Sequence, residues 1–274
     1  MKIGVLVSLE PELDIVEEIK KVKDMGLSSC QIKCWNMECY TDEAAEKIKY
    51  ALNEYGVTLS TLWCGWRGKT AWNFYEGQNT LGIVPTYLRD ERVEDLILGS
   101  DFGKKIGATQ IATHAGFLPE NPMSDLYKDV VEVLRKIASH CKENGQYFLF
   151  ETGQETPVTL RRTIEDIGLP NLGINLDPAN LILYGKANPV DALDTFGQYV
   201  LDIHAKDGCY PTNGHDLGEE TPLGQGKVNF PRFIARLKEL GYDGAITIER
   251  EISGDQQIKD ILMAKNMLEE LIAK

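Results

Sequence analysis

Four residues of metal-ligand type, Glu151, Asp177, His204 and Glu249, each close a short apolar run of the chain. The runs read YFLF, LGINL, VLDI and AITI, at 147–150, 172–176, 200–203 and 245–248. All are rich in β-branched, aromatic or aliphatic side chains, so each predicts a buried strand. Packing does not explain a charge at the end of a buried strand. In a parallel barrel, however, the carboxyl ends of the strands converge on one mouth. Three carboxylates meeting there repel one another unless a cation neutralises them. The donor set of three oxygens and one nitrogen suits one divalent metal ion, with Mn²⁺ first and Co²⁺, Mg²⁺ or Zn²⁺ as alternatives.

The same residues suggest a reaction. A dication on three carboxylates keeps an excess of negative charge, which suits a neutral polyol or hydroxy-ketone bound through two oxygens. Polarising the carbonyl makes the neighbouring C–H acidic. Glu151 and Glu249, on different strands, can flank that carbon and move the proton through an enediolate. Ordinary explanations exist for each residue alone. An acid at a strand end is commonly a helix N-cap, Asp177-Pro178 is a turn dipeptide, and His204 alone would pass for a satisfied core histidine. Four such coincidences at consecutive strand ends favour the joint metal site.

These residues need a scaffold, and the chain spells one out. Strands are expected to begin near Lys2, Ser28, Val57, Thr109, Gln146, Leu172, Tyr199 and Gly244. Helical patterns are expected from Leu13 to Met25, Asp42 to Tyr55, Val93 to Ile106, Ser124 to Asn144, Thr156 to Ile167 and Phe230 to Leu240. Each is followed, within a residue or so, by a glycine stop. Repeated strand, helix and stop predicts an α/β fold, a single-domain (β/α)₈ TIM barrel over residues 1–274. The alternative, an open doubly wound sheet, calls for a glycine-rich loop after its first strand. Here Ser8-Leu9-Glu10-Pro11-Glu12 stands in that place. Two long connections, Cys64 to Arg89 and Asp207 to Asn229, leave strand carboxyl ends and are expected to overhang the mouth as binding loops.

Composition narrows the partners. The 274 residues are 43% hydrophobic and 26% charged, with a net charge of −13. That charge argues against nucleic acid, which needs a basic face. No run is long enough for a membrane span, and the N-terminus enters a strand with no visible signal peptide. The six cysteines, Cys30, Cys34, Cys39, Cys64, Cys141 and Cys209, form no CxxC pair. They are read as reduced thiols of a cytoplasmic protein. The expected partner is a small-molecule sugar or polyol substrate. A homo-oligomer is compatible with the composition, which does not specify one.

Several segments resemble the xylose-isomerase-like TIM barrels, the sugar phosphate isomerase/epimerase superfamily. They are FETGQET at 150–156, NLDPANL at 175–181, HAKDG at 204–208, PLGQGKV at 222–228 and GYDGAITIE at 241–249. The resemblance runs over nearly the whole chain. It implies a metal-dependent isomerase or epimerase, with Glu151, Asp177, His204 and Glu249 as the metal set and the two glutamates as the proton pair. The ketose 3-epimerases and endonuclease IV of this superfamily place a histidine three residues after the strand-six aspartate; this chain has Asn180. An amide hydrogen-bonds a hydroxyl but does not titrate. Endonuclease IV also needs more histidines for its multi-zinc centre than the four present here.

Around the metal set, His114 ends the fourth expected strand and Lys206 follows His204 by two residues on the same strand face. Both are expected at the mouth as substrate-binding residues, Lys206 with ion pairing to a ligand carboxylate as the equal alternative. Asn180 and Gln154 are expected to meet substrate hydroxyls, with Glu155 beside Gln154. Asp207 is expected to orient His204. Trp63, Trp66 and Trp72 flank the first long loop; Trp66 is expected to stack on the substrate's apolar face. Beside isomerisation or epimerisation stand two alternatives: a metal-dependent lyase or dehydratase on a keto-sugar or keto-inositol, and a non-catalytic sugar-binding barrel.

Overall fold

The computed structural model describes residues 1–274. The chain forms ten strands: β1 (Lys2–Ser8), β2 (Ser29–Cys34), β3 (Thr58–Cys64), β4 (Gln110–Thr113), β5 (Tyr147–Glu151), β6 (Leu172–Leu176), β7 (Val200–Ala205), β8 (Asp207–Cys209), β9 (Glu219–Thr221) and β10 (Ala245–Ile248). Eight of them close a barrel in the order β1-β10-β7-β6-β5-β4-β3-β2. Every barrel pair is parallel. This is the (β/α)₈ architecture, and it carries the strand ends to a common mouth.

The helices are α1 (Ile15–Asp24), α2 (Asp42–Tyr55), α3 (Gly77–Thr80), α4 (Arg89–Ile106), α5 (Asp125–Glu143), α6 (Pro157–Ile167), α7 (Pro178–Leu183), α8 (Pro189–Phe196), α9 (Phe230–Glu239) and α10 (Asp255–Ala273). Local chemistry sets their ends. In α2 the Thr41 hydroxyl accepts the Ala44 N–H at 3.1 Å, and Gly56 closes the helix at φ 64°. A left-handed residue there costs glycine little and other residues more. Buried Ile15, Ile19 and Val22 of α1 and Ala45, Ile48 and Ala51 of α2 pack inward onto the sheet. Helices α7, α8 and α10 go beyond the sequence expectation. The Asp177-Pro178 pair that reads as a turn also starts α7, because proline fits the first helical position. No helix is long and apolar enough to cross a membrane.

Two register breaks interrupt the barrel. Between β2 and β3, Cys30 pairs with Leu59 but Ile32 pairs with Leu62, so β3 carries an extra residue opposite Gln31. Between β6 and β7, Ile174 pairs with Val200 but Asn175 with Asp202, so β7 carries the extra residue. Bulges of this kind re-aim side chains beside functional sites. The two long connections are partly ordered: the first contains α3, and the second contains the β8–β9 antiparallel hairpin.

Candidate metal centre

The ends of β5, β6, β7 and β10 bring Glu151, Asp177, His204 and Glu249 together at the mouth. One ligand atom from each lies within 4.8 Å of all the others, and all four residues are buried. His204 Nδ1 stands 3.2 Å from Glu151 Oε1, 3.0 Å from Glu249 Oε2 and 4.0 Å from Asp177 Oδ2. Yet His204 Nδ1 and Asp177 Oδ2 have no hydrogen-bond partner. Orphaned buried polar atoms are costly. Three carboxylates and an imidazole nitrogen converging at this range, with two of their atoms lacking a hydrogen bond, are the arrangement a cation satisfies, so the donor set fits a divalent metal.

Asp177 is both an N-cap and a candidate ligand. Its Oδ1 accepts the Asn180 N–H at 2.9 Å, capping α7, while the orphaned Oδ2 faces the cluster. Glu151 is held from the far side by the Trp63 indole N–H, which donates to its Oε2. On His204, Nε2 lies 2.6 Å from Gln31 Oε1 and 3.1 Å from the Asn175 amide, which leaves Nδ1 for the cluster.

The electrostatics reflect these neighbours. Burial works against the His204 imidazolium, but Glu151 and Glu249 outweigh it and hold the metal-free ring well above its ordinary pKa. Burial likewise opposes the Lys206 charge, and Glu249, Asp177 and Glu251 outweigh that too. Burial would raise Glu249 and Glu151. Lys206 and His204 reverse it for Glu249, and His114 and His204 for Glu151, so both lie below the usual carboxylate range. Asp177 is pushed up to about 7 by burial, against the pull of Lys206. His114 is lowered by burial.

A cavity of about 250 Å³ opens above the cluster. Trp35, Trp63 and Trp72 line it on one side and Leu183, Tyr184 and Leu217 are among its other lining residues; His114, Asn180, Lys206 and Glu251 add polar groups. His114 places Nε2 3.5 Å from Glu151 Oε1 and leaves Nδ1 unpartnered. Lys206 ion-pairs Glu251, Glu249 and Asp177 at 3.0, 3.4 and 3.5 Å. Its charge offsets the excess negative charge expected of the carboxylates alone.

Three of the expected residues lie elsewhere in the structure. Trp66 is buried behind the cavity wall, in edge contact with Trp35 and beneath the Arg92 guanidinium, and does not line the cavity. Gln154 is buried outside the lining as well, with its amide unpartnered. Asp207 does not orient His204: its carboxylate collects the backbone N–H groups of Gly208, Gly224, Gly226 and Val228 at 2.8–3.1 Å. Those donors belong to the second long loop, and a Cβ on Gly226 would collide with the carboxylate.

Sequence reasoning also missed residues. Trp35 stacks into the wall because Gly65 leaves room; a Cβ there would enter the indole. A glycine at a strand end signals close approach without naming what approaches. Gln31, Asn175, Thr61 and Asp202 form a buried polar cluster beneath the site. In sequence they are indistinguishable from polar residues on a solvent face.

Known proteins share this fold. A xylose isomerase domain protein from Planctomyces limnophilus superposes with a TM-score of 0.92 at 35% identity, over 98% of this chain and 96% of that one. An uncharacterised protein of Methanocaldococcus jannaschii is 28% identical over 193 residues, covering 66% of this chain and only 61% of its own length. An inosose dehydratase from Geobacillus kaustophilus is 23% identical over 224 residues, 74% of this chain and 71% of that one. Other structures with the same fold include D-psicose 3-epimerase, L-ribulose 3-epimerase and a probable 3-DHS dehydratase. The model of the xylose isomerase-like TIM barrel family matches residues 19–271. With its closed barrel and four strand-end residues that could hold a metal ion, the chain belongs to the xylose isomerase-like TIM barrel family.

Proposed function

We propose that this protein is a divalent-metal-dependent isomerase or epimerase of a small carbohydrate or polyol derivative, acting by proton transfer through an enediolate. The observation that carries the reading is the pair of buried glutamates from different strands, Glu151 and Glu249, 3.2 and 3.0 Å from the same His204 Nδ1 and lining one cavity. Glu151, Asp177, His204 and Glu249 would hold the metal. When bound, it supplies Lewis-acid polarisation of a carbonyl oxygen. We take Mn²⁺ as the resident ion, from the carboxylate-rich donor set.

Glu151 and Glu249 then serve as the proton-transfer pair: their neighbours favour the ionised form of each, so either can take the substrate's proton as a carboxylate, and the proton returned to carbon comes from whichever glutamate holds one at that stage. Trp63 fixes Glu151 by one oxygen and leaves the other facing the cluster. His114, with one ring nitrogen free, and Asn180, on the cavity wall, orient substrate hydroxyls. Lys206 keeps the site near neutrality, which suits an uncharged polyol. The three tryptophans exclude water and cover an apolar sugar face. Six free cysteines support a reducing cytoplasmic location.

One relative favours a second reading, dehydration of a keto-inositol, which begins with the same proton abstraction and then expels a hydroxyl. Incubating Mn²⁺-loaded protein with a panel of keto-sugars and inososes separates the two. Products of unchanged mass are expected, products lighter by one water favour the dehydratase, and no conversion across the panel contradicts both.

A further inference from the structure

A metal held by His204 needs the ring to present the lone pair of Nδ1 rather than that of Nε2. A neutral imidazole carries one proton, and the hydrogen bond on one nitrogen decides which nitrogen ligates. Beneath the ring, inside the barrel, lies a buried chain of polar groups. Gln31 Oε1 is 2.6 Å from His204 Nε2, and Gln31 Nε2 is 3.2 Å from Asp202 Oδ2. Asp202 Oδ2 also accepts the Thr61 hydroxyl at 2.6 Å, and its Oδ1 accepts the Ile203 N–H at 2.8 Å. Gln31, Thr61 and Asp202 are wholly buried and His204 nearly so.

The chemistry of the end groups removes the usual ambiguity of an amide. A carboxylate only accepts, so Gln31 must turn its NH₂ to Asp202. Its carbonyl must then face the ring. A carbonyl only accepts, so His204 Nε2 carries the proton toward Gln31 at 2.6 Å, and the lone pair is left on Nδ1, where the three carboxylates converge; the Asn175 amide, 3.1 Å from the same nitrogen, then turns its oxygen to the ring in place of its NH₂. The backbone supports this placement. Both register breaks in the barrel fall beside these residues, one opposite Gln31 and one immediately before the Asn175–Asp202 pair. We propose that Gln31, held in one orientation by Asp202, is a positioning residue that fixes His204 as the Nε2–H tautomer and thereby sets the affinity of the site for its metal. A bulk packing role would instead be filled as well by leucine or methionine.

The test is metal binding, read independently of turnover, and it rests on the wild-type protein taking up metal. Co²⁺ affinity by calorimetry and the visible Co²⁺ absorption are measured for wild type, Gln31→Leu, and the double swap Gln31→Glu with Asp202→Asn. In the swap, the new carboxylate on β2 accepts from His204, and the new amide on β7 donates to that carboxylate, so the chain of donors is preserved. The expected result is a fall of about 10–100-fold in affinity for Gln31→Leu, the usual loss when a partner behind a metal-binding histidine is removed, with an altered absorption band and recovery in the swap. A folded Gln31→Leu protein with wild-type affinity and spectrum overturns the proposal, as does a swap that shows no recovery. Should Gln31→Leu fail to fold, ¹⁵N-histidine NMR of Zn²⁺-loaded wild type decides alone: a proton on Nε2 of His204 is expected, and a proton on Nδ1 overturns it. Wild-type protein that takes up no metal overturns the metal site itself, a failure distinct from a metal-binding protein indifferent to Gln31.

Discussion

At the scale of single residues, His204 supplies the one nitrogen of the donor set, and its Nδ1 is buried without a hydrogen-bond partner. Replacing it with alanine removes a ligand at the rim of the barrel rather than a side chain of its packed interior. Expected is a large loss of metal affinity with the fold retained, read by metal analysis after dialysis and by circular dichroism. Unchanged metal content in a folded variant would shift attention to His114, the next nitrogen at 3.5 Å from Glu151. The four donors were legible in the sequence because each sits at the end of an apolar run, where no packing argument accounts for it. Gln31 and Asp202 were not legible. They lie inside strands, and alternation cannot tell a barrel-interior polar residue from an outward one when a bulge has shifted the phase.

At the scale of elements, two long loops cover the mouth, and each is organised by one buried charge. Arg92, fully buried, donates to the carbonyls of Arg67, Lys69, Thr80 and Gly82 at 2.6–3.2 Å and so shapes the loop that follows β3. Asp207 does the converse for the loop after β7, accepting four backbone N–H groups. Glu220 of β9 ties that loop to the exit of β10, pairing Arg250 at 3.0 Å and accepting the Glu251 N–H at 3.1 Å. The loops also touch each other, the Tyr75 hydroxyl meeting His215 Nδ1 at 2.5 Å. Asp207→Ala leaves buried donors without an acceptor, so stability should fall by roughly 2–3 kcal/mol. Metal affinity should change little, because Asp207 does not touch His204. Chemical denaturation and metal titration on the same variant check both halves; lost metal affinity at unchanged stability would restore the expected His204-orienting role. Sequence length and position marked these loops as functional. The anchoring charges were hidden, because their partners are backbone groups that any residue carries.

At the scale of the whole molecule, metal occupancy should govern stability, and pH should modulate the effect. In the metal-free protein His204 has a raised pKa, and Asp177 is pushed up to about 7. Groups with raised folded values stabilise the fold fully below their unfolded pKa, and that stability is lost as pH rises through the folded value. Glu151 and Glu249, with lowered values, are ionised on both sides of neutrality and do not contribute in this window. The metal-free barrel should therefore lose stability from pH 6 to pH 8. Metal binding displaces the same protons and should tighten over that range. A metal at a hundredfold excess over its Kd adds about 2.7 kcal/mol. Chelator should lower Tm, and the rise on adding Mn²⁺ should be larger at pH 8 than at pH 6; equal rises at both would contradict the assignment of these protons. The barrel itself was legible from eight expected strands and six helices closed by a glycine stop. The short α7 and α8 were not, since Asp-Pro and Asn-Pro begin turns and helices alike and only tertiary packing decides between them.

The central claim is that Glu151 and Glu249 move one proton on and off a substrate carbon. It is tested most directly by solvent deuterium exchange in Mn²⁺-loaded protein, comparing wild type with Glu151→Gln and Glu249→Gln on a substrate found by the panel. Glutamine keeps the size and one oxygen of glutamate but accepts no proton at neutral pH. Wild type should place solvent deuterium on carbon. Each variant should retain the fold and some metal yet lose turnover by roughly 10²–10⁴-fold, the usual contribution of a general acid–base group. In an epimerisation, each variant should still exchange one substrate epimer through the glutamate that remains. Near-normal turnover in both metal-loaded variants would contradict the two-carboxylate mechanism and make Lys206 the base to test next.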